Sequence, residues 1–368
     1  MKSILLAIFA LVLSTGILRA EEHGTPHEGE KKGLDIKGEI FGHISDSYDW
    51  HLFTLNEEAP EPTHVSVPLP VILIHSGLHV FMSSAFHHGH AVVESNGQYF
   101  KLHEGKIYLT DAAGSLNMDE KGHVSNARPS LDISITKNVL CLFLSVIILL
   151  VLMTNVAKKY RRNGSQTPPT GFQNALEPVI GFIQDNVAKP NLGKRYVQFM
   201  PLLLTLFFFI WVNNLLGLLP FGFNLTGNIA VTLLLALVFF VVMLAKSNSY
   251  FWGHIFNPPG VPTGIKFILV PIEVLSNLLI KPAALAIRLF ANIFAGHTII
   301  LSIILLIFIF ANLNTVAGVA FIPVSVGFSI FMFFLELLVA AIQAFIFTNL
   351  TAVFLGQAIE EHHHDEHH

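Results

Sequence analysis

The sequence predicts an all-α polytopic membrane protein. It has five membrane-crossing helices, an amphipathic helix at the cytoplasmic surface, and a small extracytoplasmic N-terminal region in which alternating stretches suggest β structure. Three observations carry this. Of 368 residues, 52% are hydrophobic and 12% are Asp, Glu, Lys or Arg, about half the charged share of a soluble domain. Several uncharged apolar runs reach the roughly 18 residues that a bilayer crossing needs. Cations cluster on alternate connections, which sets sidedness. The net charge of −4 argues against a nucleic-acid partner, and the single cysteine, Cys141, excludes an intrachain disulfide.

Residues 1–20 carry Lys2, an apolar core from Ile4 to Leu13, then Ser14-Thr15-Gly16 and Leu18-Arg19-Ala20. This is the pattern of a secretory signal peptide, too short to span comfortably, and it would leave the mature N-terminus outside; the alternative is a short anchoring helix. Residues 21–132 form a polar extracytoplasmic region. Its first part, 21–34, is rich in Glu, His, Gly and Lys and reads as a disordered linker that cannot bury enough apolar surface to order itself. Beyond it, Val65 to Ile74 alternates, and Gln98 to Leu102 and Lys106 to Leu109 flank the turn-like His103-Glu104-Gly105.

The membrane domain is expected over 137–359. Asn138 to Val156 has no charge and forms the first crossing. Lys158, Lys159, Arg161 and Arg162 follow it and, with Lys189, Lys194 and Arg195, mark 157–199 as cytoplasmic. Inside that segment Phe172, Ala175, Leu176, Val179, Ile180, Phe182 and Ile183 recur at helical spacing opposite Gln173, Asn174, Glu177, Gln184 and Asp185. Such a helix lies on the membrane surface or packs on a partner's soluble part. Phe199 to Ala245 reads as two crossings around an outer loop at Leu219-Pro220-Phe221-Gly222 and Thr226-Gly227-Asn228. Ser247 to Thr263, bracketed by Lys246 and Lys266, returns to the cytoplasm. Phe267 to Ile359 holds two segments, each longer than one perpendicular crossing and therefore strongly tilted, separated by a cation-free loop near Asn312 to Pro323. Five crossings place the acidic, histidine-rich tail, 360–368, in the cytoplasm.

Between Lys266 and Glu360 the only charged residues are Glu273, Lys281, Arg288 and Glu336. Each costs about 2.5–3.5 kcal/mol or more at hydrocarbon depth, so each is a functional candidate. Arg288 is the sharpest, because it sits mid-segment and guanidinium keeps its charge. A fixed cation stabilises the ionised form of any carboxylic acid that approaches, so the acid releases its proton. Lys281, Arg288 and Asn292 share a narrow helical stripe, a polar face suited to a partner. His297, nine residues past Arg288, turns to about the opposite side and lies roughly 13 Å along the axis. Glu336 and Gln343 share a face about 10 Å apart, and His297 is the titratable residue of the adjoining segment at Glu336's depth, the material of a proton relay.

The run Arg288-Leu289-Phe290-Ala291-Asn292-Ile293-Phe294-Ala295-Gly296-His297 resembles the signature of subunit a of the F-type ATP synthase. Pro271-Ile272-Glu273, Lys281-Pro282, Gln343-Ala344-Phe345-Ile346-Phe347, Asn213-Asn214-Leu215-Leu216-Gly217-Leu218-Leu219-Pro220 and Lys158-Lys159 support the resemblance, which covers about Lys137 to Glu361. It implies a proton-conducting stator subunit in a bacterial inner membrane, with two offset half-channels facing a ring of c subunits, and with subunit b of the stalk and the lipid bilayer as further partners. Carried over residue by residue, Arg288 is the essential arginine between the half-channels and Asn292 and Gln343 are the polar residues beside it. His297 and Glu336 line the outer half-channel, and Glu273 is an acid of the inner one. The long N-terminal region and the histidine tail have no role in that pattern.

Two other classes stay open on the residues alone. A proton-coupled or metal-ion transporter would use the His297/Glu336 pair as its midplane site and would favour an inverted repeat. An ordinary helical membrane protein would use Arg288 in a structural ion pair with Glu273 or Glu336. An intramembrane protease would need a His-Glu-x-x-His or similar motif, which the sequence lacks. His87-His88-Gly89-His90 and the tail histidines, without cysteine beside them, read as solvated tracts, so no metal and no cofactor is expected. There is no Gly-x-x-x-x-Gly-Lys-Ser/Thr loop, so the chain is expected not to be an enzyme by itself.

Overall fold

A computed structural model describes residues 46–55, 63–119, 124–164, 168, 170–219, 223–257 and 261–359. The expected signal peptide, linker and histidine tail lie outside the described residues.

The N-terminal part is a small β assembly. Strands β1 (Asp49–Leu55) and β2 (Thr63–Pro68) pair antiparallel, β3 (Pro70–Ile74) lies between β4 (Leu78–Met82) and β8 (Leu131–Asp132), and β5 (Val92–Ser95), β6 (Gln98–His103) and β7 (Lys106–Thr110) form a meander. The alternating run Val65 to Ile74 is two strands and not one. Pro68 and Pro70 have no N–H for a ladder, and the Leu69 N–H between them donates to Ser83 Oγ at 3.0 Å. The turn expected between β6 and β7 is a two-residue loop with Glu104 at φ 46° and Gly105 at φ 70°, the geometry that matches the twist of the paired strands. Strand alternation buries Val71, Leu73, Val93, Phe100 and Ile107, and the 3-10 turn Ser83–Gly89 adds Phe86 to the same core.

The helical part begins where this core ends. Helix α1 (Lys137–Asn163) starts against it: the Asn138 N–H donates to Asp46 Oδ1 at 3.0 Å, so a carboxylate occupies the positive end of the helix. There follow α2 (Phe172–Ile183), a short α3 (Lys189–Leu192), α4 (Tyr196–Gly217), α5 (Ile229–Lys246), α6 (Ser249–Phe256), α7 (Thr263–Leu275), α8 (Lys281–Leu313) and α9 (Thr315–Ile359). Among the described residues, five stretches are long and apolar enough to cross a membrane: Lys137–Arg162, Phe172–Gly217, Ile229–Lys246, Gly264–Asn312 and Gly318–Ile359. Helices α8 and α9 form an antiparallel pair, with α4 packed on α9 and α5 on α8. At 33 and 45 residues they run about 50 and 67 Å, so neither fits a hydrocarbon layer of about 30 Å without steep tilt.

Two expectations change. The loop expected near Asn312 to Pro323 is the single residue Asn314, and Pro323 lies inside α9. Asn314 Oδ1 accepts the Val316 N–H at 2.9 Å, and Gly318 lets the two helices meet: a Cβ there would stand 2.6 Å from Ala311 Cα. The amphipathic segment is also seated on α9 of the same chain. Ile183, Val187 and Ala188 are fully buried, Asn191 Nδ2 donates to Asn349 Oδ1 at 3.1 Å, and Phe182 and Phe345 are in ring contact. The seat on α9 decides the faces, so Gln173 is buried and Phe172 exposed.

Candidate functional site

Four of the five ionisable residues between Lys266 and Glu360 lie on α8 and α9, and Glu273 lies on α7. Nearest the β domain stand His297 of α8 and Glu336 of α9. That end is fixed by the loop after α4, where Phe223 packs on Trp50 with ring centroids 4.7 Å apart and joins Cys141 and Leu225 in a small core. His297 Nε2 donates to the Gly217 carbonyl, the last residue of α4, at 2.8 Å. Its Nδ1 lies 3.0 Å from Glu336 Oε1 and 3.1 Å from the Ile293 carbonyl. Glu336 is 5% exposed. Nε2, facing a carbonyl, is a donor, and Glu336 Oε1 makes no hydrogen bond among the described residues, so the carboxyl stands beside the imidazole without being bonded to it.

Space for this pair comes from glycine. A Cβ at Gly296 would stand 2.5 Å from Glu336 Oε1 and 2.8 Å from its Cδ, closer than any real contact. Behind the pair, Asn214 of α4 is 1% exposed; it donates to the Ala340 carbonyl of α9 at 3.2 Å and accepts from Thr226 Oγ1 at 2.8 Å. It thereby ties α4 and the loop after it to the turn after Glu336.

One turn further along α8, Asn292 Nδ2 donates to Gln343 Oε1 at 2.8 Å, joining two of the residues the sequence singled out. Arg288 follows. Its side chain is exposed and has no hydrogen-bond or ion-pair partner among the described residues, so the structural ion pair with Glu273 or Glu336 is absent there. Lys281 lies two turns beyond and is engaged: it donates to Asn277 Oδ1 at 2.5 Å and to Gln357 Oε1 of α9 at 3.0 Å, and its ammonium covers the Phe354 ring at 4.9 Å. Asn277 Nδ2 in turn donates to the Glu273 carbonyl at 3.0 Å, so Glu273, Asn277 and Lys281 form one ladder at four-residue steps. The stripe expected to be open is thus divided, with Lys281 and Asn292 held by α9 and Arg288 left between them.

Sequence reasoning missed Gly296 as a spacer, the Gly217 carbonyl, Asn214 as a tie, and Asn277 and Gln357 as partners of Lys281. Two had a readable signal: Asn277 is four residues from both Glu273 and Lys281, and Gln357 lies fourteen residues, or about four turns, past Gln343. The others depend on which helix faces which.

Comparison with known proteins follows the same division. Residues 139–356 match the model of a family described as ATP synthase A chain, and residues 39–133 match a domain family of unknown function, DUF8433. A protein of Pelodictyon phaeoclathratiforme named ATP synthase subunit a is 37% identical over 325 residues, 86% of this chain and 89% of its own length. Proteins of the same name from Chloroherpeton thalassium and Myxococcus xanthus are 42% and 38% identical over 243 and 245 residues; each alignment covers 64% of this chain, and 70% and 77% of the relatives.

Proposed function

We propose a proton-translocating stator role for this chain, which belongs to the ATP synthase A chain family and so to the membrane sector of the F-type ATP synthase. In this reading the chain faces the c ring and is held by the b stalk. The observation that carries it is Arg288: a permanent cation among membrane helices, exposed and without a partner among the described residues. Such a group is stable at that depth only if an anion from outside the chain meets it.

A c-ring carboxyl supplies that anion. A proton enters from the side of the β domain through Glu336 and His297, passing between Oε1 and Nδ1, and neutralises a ring carboxylate. The neutral carboxyl turns into lipid, which an ionised one cannot enter without several kcal/mol of penalty. After nearly a full turn it reaches the inner path near Glu273 and loses its proton as it approaches Arg288. Asn292 and Gln343, bonded to each other, hold α8 and α9 in register beside the guanidinium. The β domain and the mature N-terminus lie outside and the C-terminus in the cytoplasm, an orientation supported by the cations at 158–162 and 189–195.

The test is ATP-driven proton pumping in vesicles that carry the complete complex. Arg288→Ala should abolish pumping while passive leak is kept or raised. Arg288→Lys should also fail, because an ammonium can lose its proton and offers no planar fork. Coupled pumping at the normal rate in either variant refutes the reading.

A further inference from the structure

We propose that the end of α1 remote from the β domain forms a binding site for an anionic phospholipid. The uncharged part of α1 ends at Ala157. It is about 30 Å long, the thickness of the hydrocarbon layer, so the next residues stand at headgroup level. There, between α1 and the start of α2, lies a cavity of about 430 Å³, within the range of small-molecule sites.

Its polar wall holds Lys158, Lys159 and Arg162, with the amides of Asn155 and Gln173. None of the lining residues is acidic. Gln173 is 6% exposed and makes no hydrogen bond among the described residues, although the polar face of its helix had every route to water. Lys159 Nζ lies 3.4 Å from the Thr170 carbonyl, which holds one cation at the rim. The remaining wall is apolar, made by Leu152, Val156 and Phe172, and Phe172 is 52% exposed.

Three cations and two amides would suit a phosphate. A free phosphate has no use for the apolar wall, and a protein segment would need the wall but not a concave cationic end. A phosphodiester headgroup with its acyl chains satisfies both halves, the chains running along Leu152 and Val156 toward the bilayer interior. This inference does not depend on the proton path.

The full chain, purified in mild detergent and exposed to nanodiscs of phosphatidylcholine with phosphatidylglycerol, would be examined by native mass spectrometry for retained lipid. Wild type should retain one phosphatidylglycerol. The variant K158Q/K159Q/R162Q should lose it, with affinity lower on the order of a hundredfold. Arg161→Gln, which removes a neighbouring cation that does not line the cavity, should retain it. Phe172→Ser keeps every charge on a surface position and should weaken retention several-fold, which decides the matter if the triple variant does not fold. Equal retention in all variants overturns the proposal, as does equal loss in Arg161→Gln. Displacement by millimolar inorganic phosphate would mean a simple anion site. A photoreactive residue at position 152 that cross-links to protein in the whole complex would mean a protein occupant, and either result refutes the lipid.

Discussion

Gly296→Ala is the smallest change that reaches the proposed relay. The new Cβ would stand 2.5 Å from Glu336 Oε1, 2.8 Å from Cδ and 3.2 Å from Cγ. Ordinary contact begins near 3.5 Å, so the carboxyl must retreat by about 1 Å. Glu336 is 5% exposed, and its Oε1 starts 3.0 Å from His297 Nδ1. A 1 Å retreat carries that distance to about 4 Å, beyond direct proton exchange between the two groups, and costs about 1–3 kcal/mol of overpacking. Misplacement on this scale lowers the rate of a step that depends on it by about ten- to a hundredfold. The assay is the initial rate of ATP-driven acidification in vesicles with the complete complex, beside the amount of assembled complex. Gly327→Ala on α9, where a Cβ meets nothing within 4 Å, should leave the rate unchanged. Glu336→Asp, one methylene shorter, should restore part of the flux when combined with Gly296→Ala. A fully assembled Gly296→Ala complex pumping at the wild-type rate refutes both the contact and the place of Glu336 in the path.

Asn214→Ala removes two buried hydrogen bonds, to Ala340 and from Thr226, and should cost about 2–4 kcal/mol. Asn213→Ala removes only a bond to the Phe209 carbonyl of its own helix and should cost about 1 kcal/mol. Equal thermal unfolding midpoints in detergent would refute the difference. In the β domain, burial and the Asp132 carboxylate that Tyr48 donates to hold its phenol well above the usual tyrosine range. The unfolded phenol ionises near pH 10 while the folded one keeps its proton, so the stability it contributes is complete below about pH 10 and falls as pH rises further. Tyr48→Phe should flatten the alkaline limb of unfolding of the full chain, followed by near-ultraviolet circular dichroism; identical alkaline limbs in both proteins would refute the assignment.

What could be read from the sequence followed period and cost. The five crossings are visible because charge is excluded from them, and the charged exceptions stand out for the same reason. The turn at Glu104-Gly105 is visible from its residues, but the stronger signal at Asn96-Gly97, whose φ angles of 52° and 75° make the hairpin between β5 and β6, went unused although Asn-Gly is the preferred pair for such a loop. The hairpin at Asn314 was hidden because a proline and two glycines nearby read as breakers, whereas Pro323 sits within α9 and Gly318 serves close packing. The faces of α2 differ from the amphipathic pattern because the seat on α9, and not apolarity alone, decides that Gln173 is buried and Phe172 exposed. Gly296 beside Glu336 is a tertiary fact: nothing in a helix's own sequence says which glycine faces a carboxylate on another helix.

The absence of a partner for Arg288 gains weight from its neighbours. A lone guanidinium in hydrocarbon would draw in any free acceptor, since bidentate charge-assisted bonds are among the strongest available. The amide acceptors on either side of it are bonded: Gln343 Oε1 to Asn292, and Gln357 Oε1 and Asn277 Oδ1 to Lys281. Lys281 consumes the acceptors that would otherwise quench Arg288 from the Gln357 end, and Asn292 consumes those at the Gln343 end. If the charge existed only to tie α8 to α9, the simplest arrangement would bond it directly to Gln343. On the proposed reading the spacing has the opposite purpose, to keep the cation available for an anion carried past on another subunit. Asn292→Leu should therefore free Gln343 to capture Arg288 and slow coupled pumping, and Asn292→Leu/Gln343→Leu, which removes the captor as well, should pump faster than the single variant. If the double variant is the slower one, Asn292 and Gln343 act as parts of the path itself and the guarding role assigned to them here is wrong.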